Sequence, residues 1–266
     1  MPTKIAISFD DGRRDNIAAI GQLTACGIPA TLYVTTGYVD GTCPHDKLPT
    51  AKPAMTVNDV ARLFQNPLVE IGMHGDMHLN EDWDIRNGRE KLLNWLGLDE
   101  SHRFGFASPS TSYSVERFLH SEDPLFVRDI AYLAMGQRRA TCAKIRMIAR
   151  KVSRVVHSGM LYKTAYQDTM MVDCSDRVIY RVPVLREIAF EQLRVLLEEV
   201  IRREASVVFM FHSIENHDDD TWSWDQTKFE QLIQYLLMQH EQRTLELMKV
   251  CDLHAYLSGS EGSLNG

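Results

Sequence analysis

The sequence lacks several features that mark whole classes of protein. No apolar run is long enough to span a membrane, and the first residues lead into an apolar run without a signal peptide. The 5 cysteines are scattered, odd in number and include no C-x-x-C pair, which excludes a disulfide scaffold and a zinc-finger module. We found no internal repeat and no low-complexity linker. We therefore expect a reduced, cytoplasmic protein.

Positive charge is also scarce. The 29 Lys and Arg residues are outnumbered by 36 Asp and Glu, and the net charge of -7 gives no general reason to expect nucleic-acid binding. A length of 266 residues with 44% hydrophobic content suits one large domain, or two small ones, with a real core. We predict one domain over 1–257 with a basic helical insertion at about 113–180, followed by a flexible tail, 258–266.

Apolar runs typical of buried strands alternate with helical patterns. The runs are 4–9, 30–34, 68–73, 104–107 and 207–211, with a weaker one near 130–135. The helical patterns lie near 15–26, 56–65, 87–96, 189–203 and 226–239. This alternation predicts an α/β fold with a largely parallel sheet. Polar residues follow the strand ends, as in an α/β barrel, although one open doubly wound sheet also fits the pattern.

Two adjacent carboxylates follow the first apolar run, in Ser8-Phe9-Asp10-Asp11-Gly12. Burying two like charges is costly unless a metal or a shared proton relieves the repulsion. One Asp could bind a metal while the other acts as a base on water. A plain helix cap is the structural alternative, and it accounts for one Asp better than for two.

Two further segments carry histidines at strand ends. His74 and His78 are four positions apart, and with a carboxylate they form a plausible N,N,O set for a divalent metal. Asp76 between them could be a ligand or a partner of one, but we interpret it as a loop residue. His212 ends the apolar run Val207–Phe211 and could act as a general acid, with a buried structural histidine as an equal alternative.

Four segments resemble the motifs of a known family in order and spacing. They are SFDDG at 8–12, HGDMH at 74–78, FASPS at 106–110 and MFHSI at 210–214. They resemble polysaccharide deacetylases of the chitooligosaccharide deacetylase (NodB-homology) family, carbohydrate esterase family 4, over about residues 4–255. The resemblance implies a distorted, TIM-barrel-like (β/α)7 barrel. It also implies a divalent metal, usually zinc, and hydrolysis of an N-acetyl or O-acetyl group.

The resemblance also assigns roles by motif position. Asp10 corresponds to the base, His212 to the general acid, and the metal ligands correspond to Asp11, His74 and His78. A backbone N–H after Pro109, around Ser110, would help to hold the oxyanion.

The chain departs from the family pattern at several positions. Ala107 stands where many relatives have an Arg that orients the base, and Ser110 and Thr111 replace an aromatic residue and a Gly. Arg181, in an Arg-Val-Pro-Val segment, is a possible substitute for the missing Arg. Gly75 replaces a frequent Ser or Thr, which removes a hydrogen bond that would steady the loop.

Two charged segments remain. Residues 128–154 contain 8 Lys and Arg and one Asp. Within them, apolar residues recur at helical spacing, at Ile145, Ile148, Val152 and Val155. A solvated helix face is the default interpretation. The functional one is an anionic partner: a nucleotide sugar, a lipid-phosphate-linked sugar or an inner-membrane surface, contacted by Arg138, Arg139, Lys144, Arg146, Arg150, Lys151 and Arg154.

Trp222 and Trp224, after the acidic run 217–220, could stack on a sugar or anchor the core.

These patterns favour a metal-dependent deacetylase acting on an amino sugar, polysaccharide or sugar precursor. One alternative is an amidohydrolase of a non-sugar amide, formamide or cyclic imide on the same scaffold. Another is a non-catalytic carbohydrate-binding descendant, although retention of all five motif residues argues against it.

Overall fold

Parallel strands close into a barrel in the computed structural model, which describes residues 2–43, 53–109, 124–129, 140–174, 177–215 and 220–259. The barrel strands are β1 Thr3–Phe9, β2 Ala30–Val34, β3 Val69–Met73, β4 Phe106–Ala107, β5 Val127–Asp129, β6 Val178–Pro183 and β7 Ser206–Phe211. Each pairs with the next in sequence, and β7 pairs with β1. The predicted (β/α)7 barrel is thereby confirmed, and the open doubly wound sheet is excluded.

Three short strands complete the set in the described part of the chain: β8 Ser213–Ile214, β9 Ser223–Trp224 and β10 Leu245–Met248. The first two pair with each other above the end of β7. The last pairs with Thr3–Ala6 of β1, while β2 pairs with β1 further along, at Ser8 and Phe9. β1 therefore has three partner strands, and it leads directly to Asp10 and Asp11.

Helices surround the barrel. They are α1 Asn16–Ala25, α2 Thr36–Val39, α3 Val57–Phe64, α4 Asp82–Leu96, α5 Ala140–Val155, α6 Gly159–Ala165, α7 Phe190–Arg202, α8 Gln226–Glu241 and α9 Val250–Leu257. Among the residues described, no helix is both long enough and apolar enough to cross a membrane.

Burial explains why the strands could be recognised in the sequence. Every residue of β1, β2 and β7 is buried, because barrel strands face side chains on one side and helices on the other. Such strands appear as continuous apolar runs. The weak run predicted at 130–135 lies outside the described residues, and the neighbouring strand is β5 at 127–129.

Candidate metal and catalytic site

Main-chain hydrogen bonds bring the ends of β1, β2, β3 and β7 together at the carboxyl end of the barrel. The N–H of Asp10 donates to the carbonyl of Phe211 at 3.0 Å, and that of His74 donates to Val34 at 2.9 Å. The N–H of Thr35 donates to the carbonyl of Asp11 at 3.1 Å. Four chain segments that are distant in sequence therefore hold their polar residues at one place.

Asp11, His74 and His78 form the candidate metal site. Their ligand atoms all lie within 4.8 Å of one another. Oδ1 of Asp11 is 3.5 Å from Nε2 of His74 and 3.7 Å from Nε2 of His78. This oxygen is buried and makes no hydrogen bond, which is costly for a carboxylate. A divalent cation between the three groups removes that cost, so the residues fit the metal that the sequence predicted.

The tautomer of His74 suits a metal ligand. Its Nδ1 is 2.8 Å from the carbonyl oxygen of Ala107. A carbonyl only accepts hydrogen bonds, so Nδ1 carries the proton and Nε2 keeps its lone pair toward Asp11.

Two of the three candidate ligands have strained backbones. Asp11 has φ of 76° and His78 has φ of 57°, both in the left-handed region that non-glycine residues rarely occupy. Such conformations cost on the order of 1–3 kcal/mol each and persist where the surroundings impose them. For Asp11 this also excludes the helix-cap alternative, since α1 begins at Asn16 with Asp15 before it.

The loop that carries the histidines is fastened from α4. The carboxylate of Asp84 accepts hydrogen bonds from the N–H of Met77 at 2.5 Å and of Leu79 at 2.9 Å. Gly75 has φ of +80°, and a Cβ there would lie 2.4 Å from Oδ2 of Asp84. We expected the loop to lack a side-chain hydrogen bond because position 75 is Gly, and the hydrogen bonds to Asp84 take its place. The Asp84 carboxylate also fills the space that a larger side chain at position 75 would need.

Asp76 has a structural role in the same loop. Its Oδ1 accepts from the hydroxyl of Thr36 at 2.7 Å and from Nζ of Lys91 at 2.8 Å. It does not belong to the group of candidate ligands. The interpretation of Asp76 as a loop residue agrees with these contacts.

Asp10 is held by an arginine that the sequence analysis missed. Nη2 of Arg128, on β5, lies 2.6 and 2.7 Å from the two carboxylate oxygens of Asp10. The Arg128 side chain is fully buried, with its guanidinium 4.5 Å from the ring centroid of Tyr33 and Nη1 donating to Ser8 Oγ at 3.1 Å. The carboxylate of Asp10 is thus fixed in position beside the candidate metal ligands.

Sheet register places Arg128 level with position 107, where the sequence resemblance implies an arginine. Ala107 on β4 and Arg128 on β5 are direct partners across the two strands. The guanidinium of Arg128 therefore lies at the same level of the barrel as position 107, on the neighbouring strand. Arg181, which we proposed as the substitute, lies buried on β6, and its charge makes a smaller contribution than Arg128 to lowering the pKa of Asp10. In the sequence, the feature that could have pointed to Arg128 is the Arg128-Asp129 pair beside an apolar run.

Electrostatics keeps Asp10 and Asp11 ionised. Burial alone would raise the pKa of Asp10, but Arg128, then His74 and His212, outweigh it and lower the pKa to about 2. Burial likewise opposes ionisation of Asp11, yet the adjacent ring of His74 and the guanidinium of Arg13 hold the pKa of Asp11 well below its usual range. Both carboxylates are therefore available as base and ligand at neutral pH.

A second buried arginine contacts Asp11, one of the candidate ligands. Nε of Arg13 lies 3.2 Å from Oδ2 of Asp11, and its Nη1 lies 3.3 Å from Asp220. Arg13 therefore occupies the second oxygen of Asp11, which leaves Oδ1 to face the histidines. Of the acidic run, residues 217–219 lie outside the described residues.

The ring of His212 lies beside an aromatic side chain. Its ring centroid is 4.6 Å from that of Trp222, which is half-buried. Burial lowers the pKa of His212 to about 3 and that of His78 to about 4. His212 is therefore neutral at pH 7, and Asn16 fixes its main chain by donating to its carbonyl at 2.8 Å.

The other predicted substrate contacts divide into three groups. Trp224 is fully buried and donates through Nε1 to the carbonyl of Ile188 at 2.8 Å, so it is a core residue that no sugar reaches. Pro109 is buried beside the site, and its carbonyl accepts from Nδ2 of Asn80 at 2.5 Å. Ser110 lies outside the described residues.

The basic segment is only partly a surface. Arg150 pairs with Asp168 at 2.5 Å, and Arg154 donates to the hydroxyl of Tyr166 at 3.1 Å. These two side chains are engaged inside the protein and are not available to an anionic partner. Arg138 and Arg139 lie outside the described residues, as do the side chains of Lys144 and Arg146.

Comparison with known proteins gives only distant similarity. No family model and no curated protein matches the chain. A family 4 carbohydrate esterase from Bacillus anthracis is similar at 14% identity and a TM-score of 0.46, over 95% of this chain and 82% of that one. The catalytic domain of a peptidoglycan N-acetylglucosamine deacetylase from Eubacterium rectale is similar at 13% identity and a TM-score of 0.46, over 94% of this chain and 89% of that one.

A polysaccharide deacetylase from Bacillus cereus is similar at 16% identity and a TM-score of 0.38, over 47% of this chain. The match spans 39% of that protein, well below two thirds of its length. At such identities and TM-scores the similarity carries no argument about activity, which has to be inferred from the side chains themselves.

Proposed function

We propose that this protein is a metal-dependent hydrolase that removes an N-acetyl or O-acetyl group from an amino sugar, polysaccharide or sugar precursor. One observation carries the proposal. A buried, unbonded carboxylate oxygen of Asp11 faces two imidazole nitrogens, and a second carboxylate, Asp10, is ionised beside it. A metal and a base at the end of a barrel are the elements that hydrolysis of an acyl group requires.

Asp11, His74 and His78 would hold the ion, for which we propose zinc because two imidazoles and one carboxylate suit it. When bound, the ion supplies Lewis acidity toward the acyl oxygen and lowers the pKa of water. A main-chain N–H following Pro109 is a candidate second donor to the oxyanion.

Asp10 and His212 would move the protons. Asp10 is ionised and can accept the proton of the attacking water, while Arg128 keeps its oxygens in position. His212 would protonate the departing amine or alcohol. Because its ring is neutral at rest, the proton that it donates has to reach it during turnover. Trp222 beside it offers a face on which a sugar ring can stack.

The test combines metal analysis with product analysis. We expect about one equivalent of divalent metal in the purified protein, and acetate release from acetylated amino sugars in a panel that also contains acylated non-sugar amides, formamides and cyclic imides. Asp10→Asn should keep the metal and lose turnover by about 10²–10⁴-fold, as expected for lost acid–base catalysis. Met238→Gln, an exposed substitution on α8, is the matched control.

Each alternative has its own result. Turnover of the amides, formamides or imides without acetylated sugars would replace the deacetylase by an amidohydrolase. Bound metal with no turnover of any substrate, and unchanged sugar binding in Asp10→Asn, would indicate a carbohydrate-binding protein. Loss of metal in Asp10→Asn would mean that the roles of Asp10 and Asp11 are exchanged.

A further inference from the structure

Two buried arginines contact the adjacent carboxylates of the site in different ways. Nη2 of Arg128 lies 2.6 and 2.7 Å from the two oxygens of Asp10, so both oxygens have a donor. Arg13 contacts Asp11 through Nε alone, at 3.2 Å from Oδ2, and its Nη2 makes no hydrogen bond. Oδ1 of Asp11 is therefore left without a donor. The two arginines thus distinguish a fully engaged carboxylate, suited to act as a base, from one that keeps an oxygen for a ligand bond.

Arg13 determines which oxygen of Asp11 stays unengaged. The terminal torsion of an aspartate is broad, so the carboxylate can turn unless a partner holds it. The main chain of Arg13 is held independently of its side chain, because its carbonyl accepts from the N–H of Asn16 at 3.1 Å and its backbone forms a β-bridge with Ala54. The planar guanidinium therefore starts from a fixed point and holds Oδ2 in place.

The far end of Arg13 contacts the chain segment that carries Trp222. Its Nη1 lies 3.3 Å from Oδ2 of Asp220, a largely buried carboxylate. Oδ1 of Asp220 accepts from the N–H of Trp222 at 3.0 Å. The ring centroid of Trp222 is in turn 4.6 Å from that of His212. An unbroken series of contacts therefore connects the carboxylate of Asp11 with the ring of His212.

The charges in this series suit a site for a cation. A buried guanidinium beside a divalent ion would repel it. Arg13, however, lies between two carboxylates, those of Asp11 and Asp220, and one positive charge against two negative ones leaves one negative charge. Arg13 can therefore orient Asp11 without cancelling the negative charge that attracts the ion.

We propose that Arg13 and Asp220 are positioning residues that connect the two halves of the proposed site. Arg13 keeps one oxygen of Asp11 available to the metal, and Asp220 holds Trp222 against His212, where a sugar ring would stack. The inference rests on the proposed function, which takes Asp11 as a ligand and Trp222 as a substrate contact. The alternative is an ion pair that only stabilises the fold, which would change neither the zinc affinity nor the position of Trp222.

The first test is calorimetric titration of zinc into the chelator-treated full chain. Arg13→Lys keeps the charge, but one ammonium nitrogen cannot take the positions of two nitrogens in the guanidinium plane. We expect the zinc Kd to rise about tenfold, the lower end of the effect seen when a partner of a metal ligand is changed. Arg14→Lys, at the exposed neighbour, is the matched control and should keep the zinc Kd of the parent. An unchanged Kd in Arg13→Lys would overturn the role of Arg13.

The second test measures the position of Trp222. Asp220→Asn offers one acceptor atom where the carboxylate offers two, so it can satisfy Arg13 or the N–H of Trp222 but not both. The segment should stay folded, because β9 still pairs with β8. We expect acrylamide to quench Trp222 more strongly, the Trp222 signal being the difference between each protein and its Trp222→Phe form. Glu241→Gln, exposed at the end of α8, removes the same charge and should leave quenching unchanged.

Kinetics shows whether Asp220 acts through Trp222. With an acetylated amino sugar that releases acetate, Asp220→Asn should raise KM about tenfold, as for a lost hydrogen bond to a charged group, with a smaller effect on kcat. In a Trp222→Ala background the same change should add nothing to KM, because residues that act as a unit are not additive. Effects that multiply in the double variant would overturn the link between the two residues.

Failure of this inference and failure of the proposed function give different results. A parent protein that binds no zinc would reject the metal site and with it the role of Arg13. Zinc binding without acetate release from any substrate would reject the deacetylase, while titration and quenching would still test both positioning residues. Acetate release by the parent, with unchanged zinc Kd in Arg13→Lys and unchanged quenching of Trp222 in Asp220→Asn, would reject the inference and leave the function in place.

Discussion

Arg128 is the side chain on which the position of Asp10 depends. Its contact with both carboxylate oxygens is fully buried, and breaking such a pair by removing one partner costs about 3–5 kcal/mol, because the other charge is left uncompensated. Lysine keeps the charge but cannot reproduce the planar donor geometry of a guanidinium.

We predict that Arg128→Lys folds and binds metal but loses kcat on the order of 10²-fold with little change in KM, because the base is misplaced while substrate contacts remain. Steady-state kinetics with metal analysis checks this. Arg128→Ala combined with Ala107→Arg should recover part of kcat, since the two positions are register partners. Equal kinetics of Arg128→Lys and the parent would leave Arg128 with a purely structural role.

At the residue scale, the sequence showed which groups could carry chemistry but not which groups orient them. Asp10, Asp11, His74, His78 and His212 stand at recognisable ends of apolar runs. Arg128 is distant from all of them in sequence, and its contact with Asp10 depends on the register of β4 and β5. Trp224 could have been a core or a substrate residue from sequence alone, and only its burial decides between them.

At the element scale, α9 begins without a cap of its own. Lys249 precedes it and provides no side-chain hydrogen bond to the first turn. Two residues from neighbouring strands replace the cap. The hydroxyl of Thr31 accepts from the N–H of Val250 at 3.0 Å, and Glu70 accepts from the N–H of Cys251 at 3.0 Å and from Thr31 at 2.7 Å. The strands therefore hold the helix by its N-terminal amides.

We predict that Glu70→Leu lowers the free energy of unfolding by about 1–3 kcal/mol, because the N–H of Cys251 and the hydroxyl of Thr31 lose their acceptor. Glu70→Gln keeps an acceptor oxygen and is the matched control. Urea denaturation of the three proteins measures the difference. Equal stability of Glu70→Leu and the parent would show that other groups satisfy the helix amides.

Acidity adds a second, independent test of Glu70. Burial raises the pKa of this carboxyl above its ordinary 4.5. A raised folded-state pKa means that the contribution of Glu70 is fully present below pH 4.5 and is lost as the pH rises through the folded value. The stability of the parent should therefore fall relative to that of Glu70→Gln over this range, and a parallel pH dependence would contradict the assignment.

Elements were predictable from sequence to the extent that burial leaves a pattern. The runs that became β1, β2, β3 and β7 consist almost entirely of buried residues and were located within a residue or two. Strands β6 and β10 were missed, because Arg181 interrupts the first and the second is short and mostly half-exposed. The helical spacing of Ile145, Ile148, Val152 and Val155 was visible, but spacing alone does not show which side of a helix faces solvent.

At the scale of the whole molecule, a metal held by Asp11, His74 and His78 would join the ends of β1 and β3. A ligand that binds only the folded state raises stability by mass action, by about 2.7 kcal/mol at a free concentration one hundred times Kd. The strained backbones of Asp11 and His78 lower the stability of the folded protein. Without metal, no binding free energy offsets that loss.

We therefore predict that removal of metal by a chelator lowers Tm and that added zinc restores it. His74→Ala/His78→Ala should have a Tm that responds to neither, as measured by differential scanning calorimetry. His102→Ala, a change at a partly buried histidine away from the barrel mouth, should keep the response. A zinc-dependent Tm in the double variant would place the ion elsewhere.

The three partners of β1 have a consequence for hydrogen exchange. Its amides and carbonyls engage β10, β2 and β7 in turn, so no single strand can separate and release them. Exchange at Ile5 to Phe9 should therefore require opening of the whole barrel, whereas β10, whose one partner among the described strands is β1, can open locally. In native-state exchange measured against denaturant, β1 should report the global free energy of unfolding and β10 a smaller one. The strand that positions both carboxylates would then be the last part of the molecule to open.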